Sequence, residues 1–413
     1  MGLLIGYLLI FLISKRYGSE GVGIYTLTIS IVTILSIIAS MGLNLSILRF
    51  IGEFQDEKIK KLKLLYIYSL EIVTILSLII SFSLYYFASY IATNIFGNDN
   101  YKLALEIASF IMPLFALSNI NIEYIRGLKH IKVSEYLRSF NRPFINIILL
   151  YFVGFYIMDM LLPLYTLAIA IIITILLSTI FIIKSIGKIV YCSCDEFNRK
   201  KLIKTSLPMM FSILAGFIMG DLGIYMVEYY MPTSSVGVFA IAMKLSFLIS
   251  IILITVNNIS APKFSELYWS GERGKLQKLI TQSSKMIFLP SLIIGFIIVI
   301  FAKDILSIFG DEFIGGVEVL YLLVASQLIN SFTGSVGILL NMTGHQKVYK
   351  YITLTALFIS IILYYYLIPI YGIIGAGVSA MVGSIIINLW AMLYAKIKLG
   401  YTTYYNPFQK AIR

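Results

Sequence analysis

The chain has 413 residues, 59% of them hydrophobic and 13% charged, with a mean hydropathy of +0.92. Soluble domains carry about 25% charged residues, so this composition excludes a water-soluble enzyme and a free nucleic-acid binder. The formal charge is +12, the only cysteines are Cys192 and Cys194, and the only histidines are His130 and His345. Neither a disulfide framework nor a histidine-built metal site fits those counts, and no metal or cofactor is expected.

Apolar runs of about 20 residues, enough to cross a bilayer as a helix, recur from end to end. In chain order they predict spans at 1–14, 23–48, 64–91, 103–125, 143–158, 161–183, 205–228, 236–261, 286–302, 317–341, 350–369 and 371–395. The runs do not alternate, as membrane strands would. The expected fold is an all-α integral membrane protein with about 12 transmembrane helices.

Charge sets the expected orientation. Of the 32 Lys and Arg, 27 fall in the loops after even-numbered spans and in the C-terminal tail. Only Lys15, Arg16, Lys102 and Lys303 fall in the odd loops, and Lys244 lies inside a span. Positive charge stays on the cytoplasmic side, which predicts a multi-pass protein of the cell membrane with both termini cytoplasmic. The longer loops, Lys184–Lys204 and Pro262–Lys285, are then cytoplasmic, and the outer loops leave no room for a folded catalytic domain. The chain also lacks a Gly-rich phosphate loop ending in Gly-Lys-Ser/Thr.

A repeat organises the sequence. With a shift of 214 positions, Val22-Gly23-Ile24-Tyr25 meets Val236-Gly237-Val238-Phe239, and Asn44, Ser46, Arg49 and Phe50 meet Asn258, Ser260, Lys263 and Phe264. Two six-helix lobes, 1–195 and 196–413, follow. Six is even, so both enter the membrane in the same sense and form a parallel repeat, the plan of an alternating-access carrier. The first span is short by this measure, since the partner of its start near Lys204 would lie before Met1; it reads as truncated.

Candidate site residues come from polar groups inside spans. Thr26, Ser30, Thr33, Ser40 and Asn44, with Ile37 filling the gap, recur three or four positions apart, on one helix face. The repeat lays Lys244 and Asn258 on the matching face of the eighth span. Gln327, Asn330, Gly334, Gly337 and Asn341 form a third stripe. Small polar residues also glue membrane helices together, so a stripe alone leaves packing open. Lys244 is harder to explain by packing, because a membrane charge costs about 2.5–3.5 kcal/mol or more. Asp221 lies as far from the turn near residue 232 as Lys244 does, so the two can pair as a lock, or Lys244 can leave Asp221 to meet an anionic cargo. Arg49 and Lys263 are repeat partners at the cytoplasmic mouths, suited to collecting a diphosphate. Gly216-x3-Gly220 reads as a close helix contact.

Several segments resemble the polysaccharide biosynthesis membrane proteins, the O-antigen-type flippases of the multidrug/oligosaccharidyl-lipid/polysaccharide exporter superfamily. They are Arg16-Tyr17-Gly18-Ser19-Glu20-Gly21-Val22-Gly23-Ile24-Tyr25, Val236 through Leu245, Ala261-Pro262-Lys263-Phe264-Ser265-Glu266-Leu267, Leu340-Asn341-Met342-Thr343-Gly344-His345-Gln346 and Tyr371 through Gly377. The resemblance implies a flippase, not an enzyme, that moves an oligosaccharide on a polyprenyl phosphate or diphosphate to the outer leaflet. It implies as partners the lipid-linked sugar, the membrane lipids and the polymerase or glycosyltransferases of the same glycan, and no nucleic acid. An H+- or Na+-coupled drug or cation antiporter of the same superfamily is the alternative, kept open by Asp221 and Glu71. A membrane polymerase or glycosyltransferase is the third reading, disfavoured by the short outer loops.

Overall fold

The computed structural model describes residues 2–53, 59–97, 101–128, 130–157, 159–187 and 199–404. Among them every regular element is helical. Contacts divide the chain into two compact units, Met1–Asp221 and Leu222–Arg413, with the boundary inside a helix.

The first unit opens with α1 (Gly2–Ala39), which is broken at Gly18, where φ is 65°. Then come α2 (Leu43–Glu53), α3 (Ile59–Tyr90) with a π-helical end at Ile91–Ile95, and α4 (Tyr101–Gly127). A short α5 (Ile131–Glu135) runs through a π-helical turn, Tyr136–Asn141, into α6 (Arg142–Gly154). The unit closes with α7 (Leu162–Ile186) and α8 (Arg199–Tyr230) as far as Asp221. At its centre, α4 packs against α1, α2, α3 and α7. Ala104, Ala108 and Ala116 are buried there, and their small side chains let the helix backbones approach.

The second unit holds the end of α8, then α9 (Thr233–Trp269), α10 (Arg273–Ile300), α11 (Ala302–Phe309) and a 3-10 turn at Asp311–Gly316. It continues with α12 (Val317–Thr333), α13 (Val336–Met342) and α14 (Gln346–Tyr394), the last broken at Gly372 with φ 57°. Here α12 packs against α9, α10 and α14. Phe264, Leu276, Leu339, Leu340 and Ile352 form a buried core at one end.

Nine helices among the described residues are long and apolar enough to cross a membrane. Two of them, Ile5–Ala39 and Lys347–Leu399, each contain a non-helical glycine and so hold two helical segments apiece. With the composite helix from α5 to α6, the plan matches the twelve spans expected from the sequence.

The bounds differ in informative ways. The span expected at 143–158 starts at Ile131, and that expected at 286–302 starts at Arg273. Apolar runs mark only the lipid-facing part of a helix, and its polar ends continue the same hydrogen bonding. The helix expected over 23–48 is interrupted by Met41 (φ 46°) and Gly42 (φ 77°), and the helix expected over 317–341 by Gly334 (φ 66°). Ser19, just past the Gly18 break, and Thr233, the start of α9, are 214 positions apart.

Candidate functional site

In the first unit, the Ser30 hydroxyl donates to the Asp221 carboxylate, tying α1 to α8. Ser30 is buried. Thr33 turns back on its own helix, donating to the Ile29 carbonyl at 2.7 Å. Asn44, beyond the Gly42 break, has a buried Oδ1 with no hydrogen-bond partner. The expected single stripe from Thr26 to Asn44 is therefore bent at Met41–Gly42. The bend is seated on α8: a Cβ at Gly42 would lie 2.6 Å from the Met210 nitrogen, and the Ser46 and Ser206 hydroxyls are 2.7 Å apart. Farther along, Arg199 pairs with Glu71 at 2.7 Å, which accounts for an acid that the sequence left inside a span.

One charged group of this unit was missed by sequence reasoning. Arg142 reads as a loop residue ahead of a span, yet it lies inside the composite helix, 11 residues past Ile131 and 12 before Gly154. It is 8% exposed. Its Nη2 donates to Ser118 at 2.8 Å and Asn119 at 3.2 Å, and its Cζ lies 4.7 Å from the Phe115 ring centroid. Its Nε is buried without a partner, and among the described residues no carboxylate pairs with it. Below it, Thr166 donates to Asn146 at 2.7 Å, and Tyr25 lies beside both Asn146 and Arg142. The spacing Arg138, Arg142, Asn146 is the signal that could have found it, since residues four apart share a helix face. The nearby acid is taken already: Glu123 accepts from Arg138 at 2.6 Å and lies 3.8 Å from Arg126. The Glu123–Arg126 contact is the longer of the two.

In the second unit, Gln327 and Asn330 lie one helical turn apart on α12. Ser250 of α9 donates to the Gln327 amide oxygen at 2.5 Å, and Asn330 donates to the same oxygen at 3.5 Å. One turn on, Thr333 donates to Asn388 at 3.3 Å, and Asn388 in turn donates to Ser384. The polar row thus joins α9, α12 and α14. Gly334 ends α12, so Gly337 and Asn341 belong to a separate helix, α13. Lys244 is half-buried on α9, and Lys263 is exposed farther along the same helix. Glu228, the last residue of the span expected over 205–228, is buried and accepts from Thr233 at 3.2 Å. The side chains of Arg49 and Asn258 lie outside the described residues, as do Cys192 and Cys194. A Cβ at Gly216 or Gly220 would meet nothing within 4 Å among the described residues, so the close contact expected there is not seen. Among the described residues no group of three His, Cys, Asp or Glu could hold a metal ion.

The helical scaffold agrees with what the chain is similar to. Residues 1–268 match the polysaccharide biosynthesis protein family. The chain belongs to that family. Residues 208–366 also match the MatE family. An inward-facing multidrug resistance MATE family transporter of the MOP superfamily aligns with a TM-score of 0.79 and 15% identity, over 96% of this chain and 94% of that one. The lipid II flippase MurJ, in an inward closed conformation, aligns with a TM-score of 0.76 and 17% identity, over 96% and 86%. A MOP superfamily transporter from Pyrococcus furiosus Vc1, described as having a binding pocket of reversed polarity, aligns with a TM-score of 0.62 and 17% identity, over 97% and 93%. At these identities the likeness is one of fold. No curated protein matches the chain in sequence.

Proposed function

We propose that this protein is a flippase. It carries an oligosaccharide on a polyprenyl phosphate or diphosphate from the cytoplasmic to the outer leaflet by alternating access, without itself catalysing a reaction. Membership of the polysaccharide biosynthesis family, matched over residues 1–268, is the observation that carries this reading. The fold shared with the lipid II flippase MurJ supports it.

The charge inside the first unit supports an anionic cargo. A buried guanidinium without a carboxylate is costly, and Arg142 has only neutral partners. Lys244 of the second unit and the mouth pair Arg49 and Lys263 complete the proposed set of cations. Ser30, Thr33, Asn44, Asn258, Gln327 and Asn330 would offer hydrogen bonds to sugar hydroxyls. The two six-helix lobes, 1–195 and 196–413, would be the rocking halves, with both termini cytoplasmic. A glycan polymerase or glycosyltransferases would supply or consume the lipid-linked sugar.

Asp221 and the MatE match over 208–366 favour a second reading, a cation-coupled antiporter. The test is reconstitution into liposomes with labelled lipid-linked oligosaccharide, scored by leaflet accessibility with and without a membrane potential. Protein-dependent exposure of the sugar on the far leaflet is expected. Proton- or sodium-driven drug uptake with no sugar exposure would replace the flippase reading with the antiporter.

A further inference from the structure

A cavity of about 400 Å³ lies in the first unit, lined by Leu12, Lys15 and Arg16 of α1 and by Leu150, Tyr151 and Phe155 at the end of α6. Its two cations are neighbours in sequence, and among the described residues neither is paired with a carboxylate. The Arg16 head is built in. It lies against Gly154 so closely that a Cβ there would be 2.8 Å from its Cζ, and its Nε is buried without a hydrogen-bond partner. Its Cζ is 5.7 Å from the Tyr17 ring centroid. Tyr151 and Phe155 are 53% and 70% exposed, so the apolar side of the cavity opens outward.

We propose that this cavity is a lipid site, holding the phosphate of a lipid against Lys15 and Arg16 and its first chain carbons along Leu12, Leu150, Tyr151 and Phe155. Arg presents a fork of donors that matches phosphate oxygens, and an aromatic rim suits the level of the head groups. The orientation expected from the loop charges sharpens the point. Lys15 and Arg16 are two of only four basic residues assigned to the outer side. A half-buried guanidinium whose Nε has no partner, and which no carboxylate pairs with among the described residues, on the side that disfavours positive charge, calls for an anion of its own. The ligand class is a phosphate ester on a long apolar chain, which a bilayer phospholipid or an isoprenyl phosphate would both supply.

The test needs no transport, so failure of the flippase reading would leave it intact. The purified protein in phosphatidylcholine nanodiscs is titrated with fluorescent phosphatidylglycerol in one arm and with a fluorescent long-chain isoprenyl phosphate in the other. A basic group near an anionic lipid surface contributes about fivefold in affinity. Lys15→Gln with Arg16→Gln is therefore expected to weaken binding by about 25-fold in whichever arm holds the true ligand. Lys102→Gln with Lys303→Gln, the other two outer cations, is expected to bind like the parent. If the double variant misfolds, Lys15→Gln alone, at an exposed side chain, is expected to lose about fivefold. Binding in neither arm, or binding unchanged by these substitutions, overturns the proposal.

Discussion

Replacing Arg142 with Met separates a structural tie from a cargo group. Two effects oppose each other. The variant loses two hydrogen bonds from a charged donor, to Ser118 at 2.8 Å and Asn119 at 3.2 Å. Such bonds contribute about 1.5–3 kcal/mol each, a gross loss of about 3–6 kcal/mol. Against this, burying a guanidinium costs several kcal/mol even after relaxation, and apolar replacement of buried charges is often neutral or stabilising. Both partners are neutral, so the variant strands no charge. Asn119 is only half-buried and can turn towards other partners, and the Ser118 hydroxyl can bond back to its own helix. The Nε that is unpartnered in the parent also disappears. The terms nearly cancel, and Arg142→Met is expected to fall within about 2 kcal/mol of the parent in unfolding from detergent micelles. Its flipping rate in the liposome assay is expected to drop at least tenfold. A variant destabilised by more than about 4 kcal/mol that still flips at the parent rate when folded would refute the reasoning. It would make Arg142 a packing element of α4 and α6.

Three further outcomes are expected. Gly42→Ala forces a side chain into a left-handed backbone, with its Cβ 2.6 Å from the Met210 nitrogen and 3.1 Å from its Cα; it should cost about 2–5 kcal/mol in thermal unfolding, and an unchanged melting temperature would show that α2 is not seated on α8. Glu123→Gln weakens the 2.6 Å contact with Arg138 at a carboxylate only 12% exposed; a loss of about 1–3 kcal/mol is expected, and a loss removed by high salt would mark a surface pair instead. With Cys192 and Cys194 replaced by Ser, Asp304→Cys should react with an impermeant thiol reagent in whole cells and Ser270→Cys should not, both positions being exposed; the reverse pattern would invert the orientation expected from the loop charges.

Much of the scaffold was legible because lipid imposes one rule, the long apolar run, on every span. The twelve runs came directly from it, and the 214-residue register came from the Gly, Asn, Ser and basic matches laid over them. What escaped was whatever breaks or extends a run. Met41–Gly42 and Gly334 interrupt helices whose hydropathy is continuous, because a positive φ leaves no trace in an average over apolar residues. Arg142 escaped for the opposite reason. Charges were assigned to loops, and a buried guanidinium held by Ser118 and Asn119 is a tertiary fact that no single segment carries. The site stripes fared unevenly. Gln327 and Asn330 do share a polar row, whose partners Ser250 and Asn388 lie on α9 and α14. Thr33 spends its hydroxyl on its own backbone, a use that helical spacing cannot distinguish from a binding role.

The bend in the first unit also limits how far the repeat can be taken as a mechanical symmetry. The register carries Met41 and Gly42 onto Thr255 and Val256, which lie inside α9 without a break. The residues themselves account for the difference. Gly42 adopts φ 77° at no steric cost, and Met41 follows at φ 46°. Thr and Val are branched at Cβ and avoid positive φ, so the same bend at 255–256 is closed to this sequence. The bend is also held from outside, since Gly42 and Ser46 rest on Ser206 and Met210 of α8. Asn44, just beyond it, and Asn257, in the unbroken α9, each keep a buried oxygen with no hydrogen-bond partner. Equivalent positions in the two repeats therefore carry different loads. The first repeat has a preformed break, and the second has an unbroken helix that carries Lys244 and Lys263 along its length.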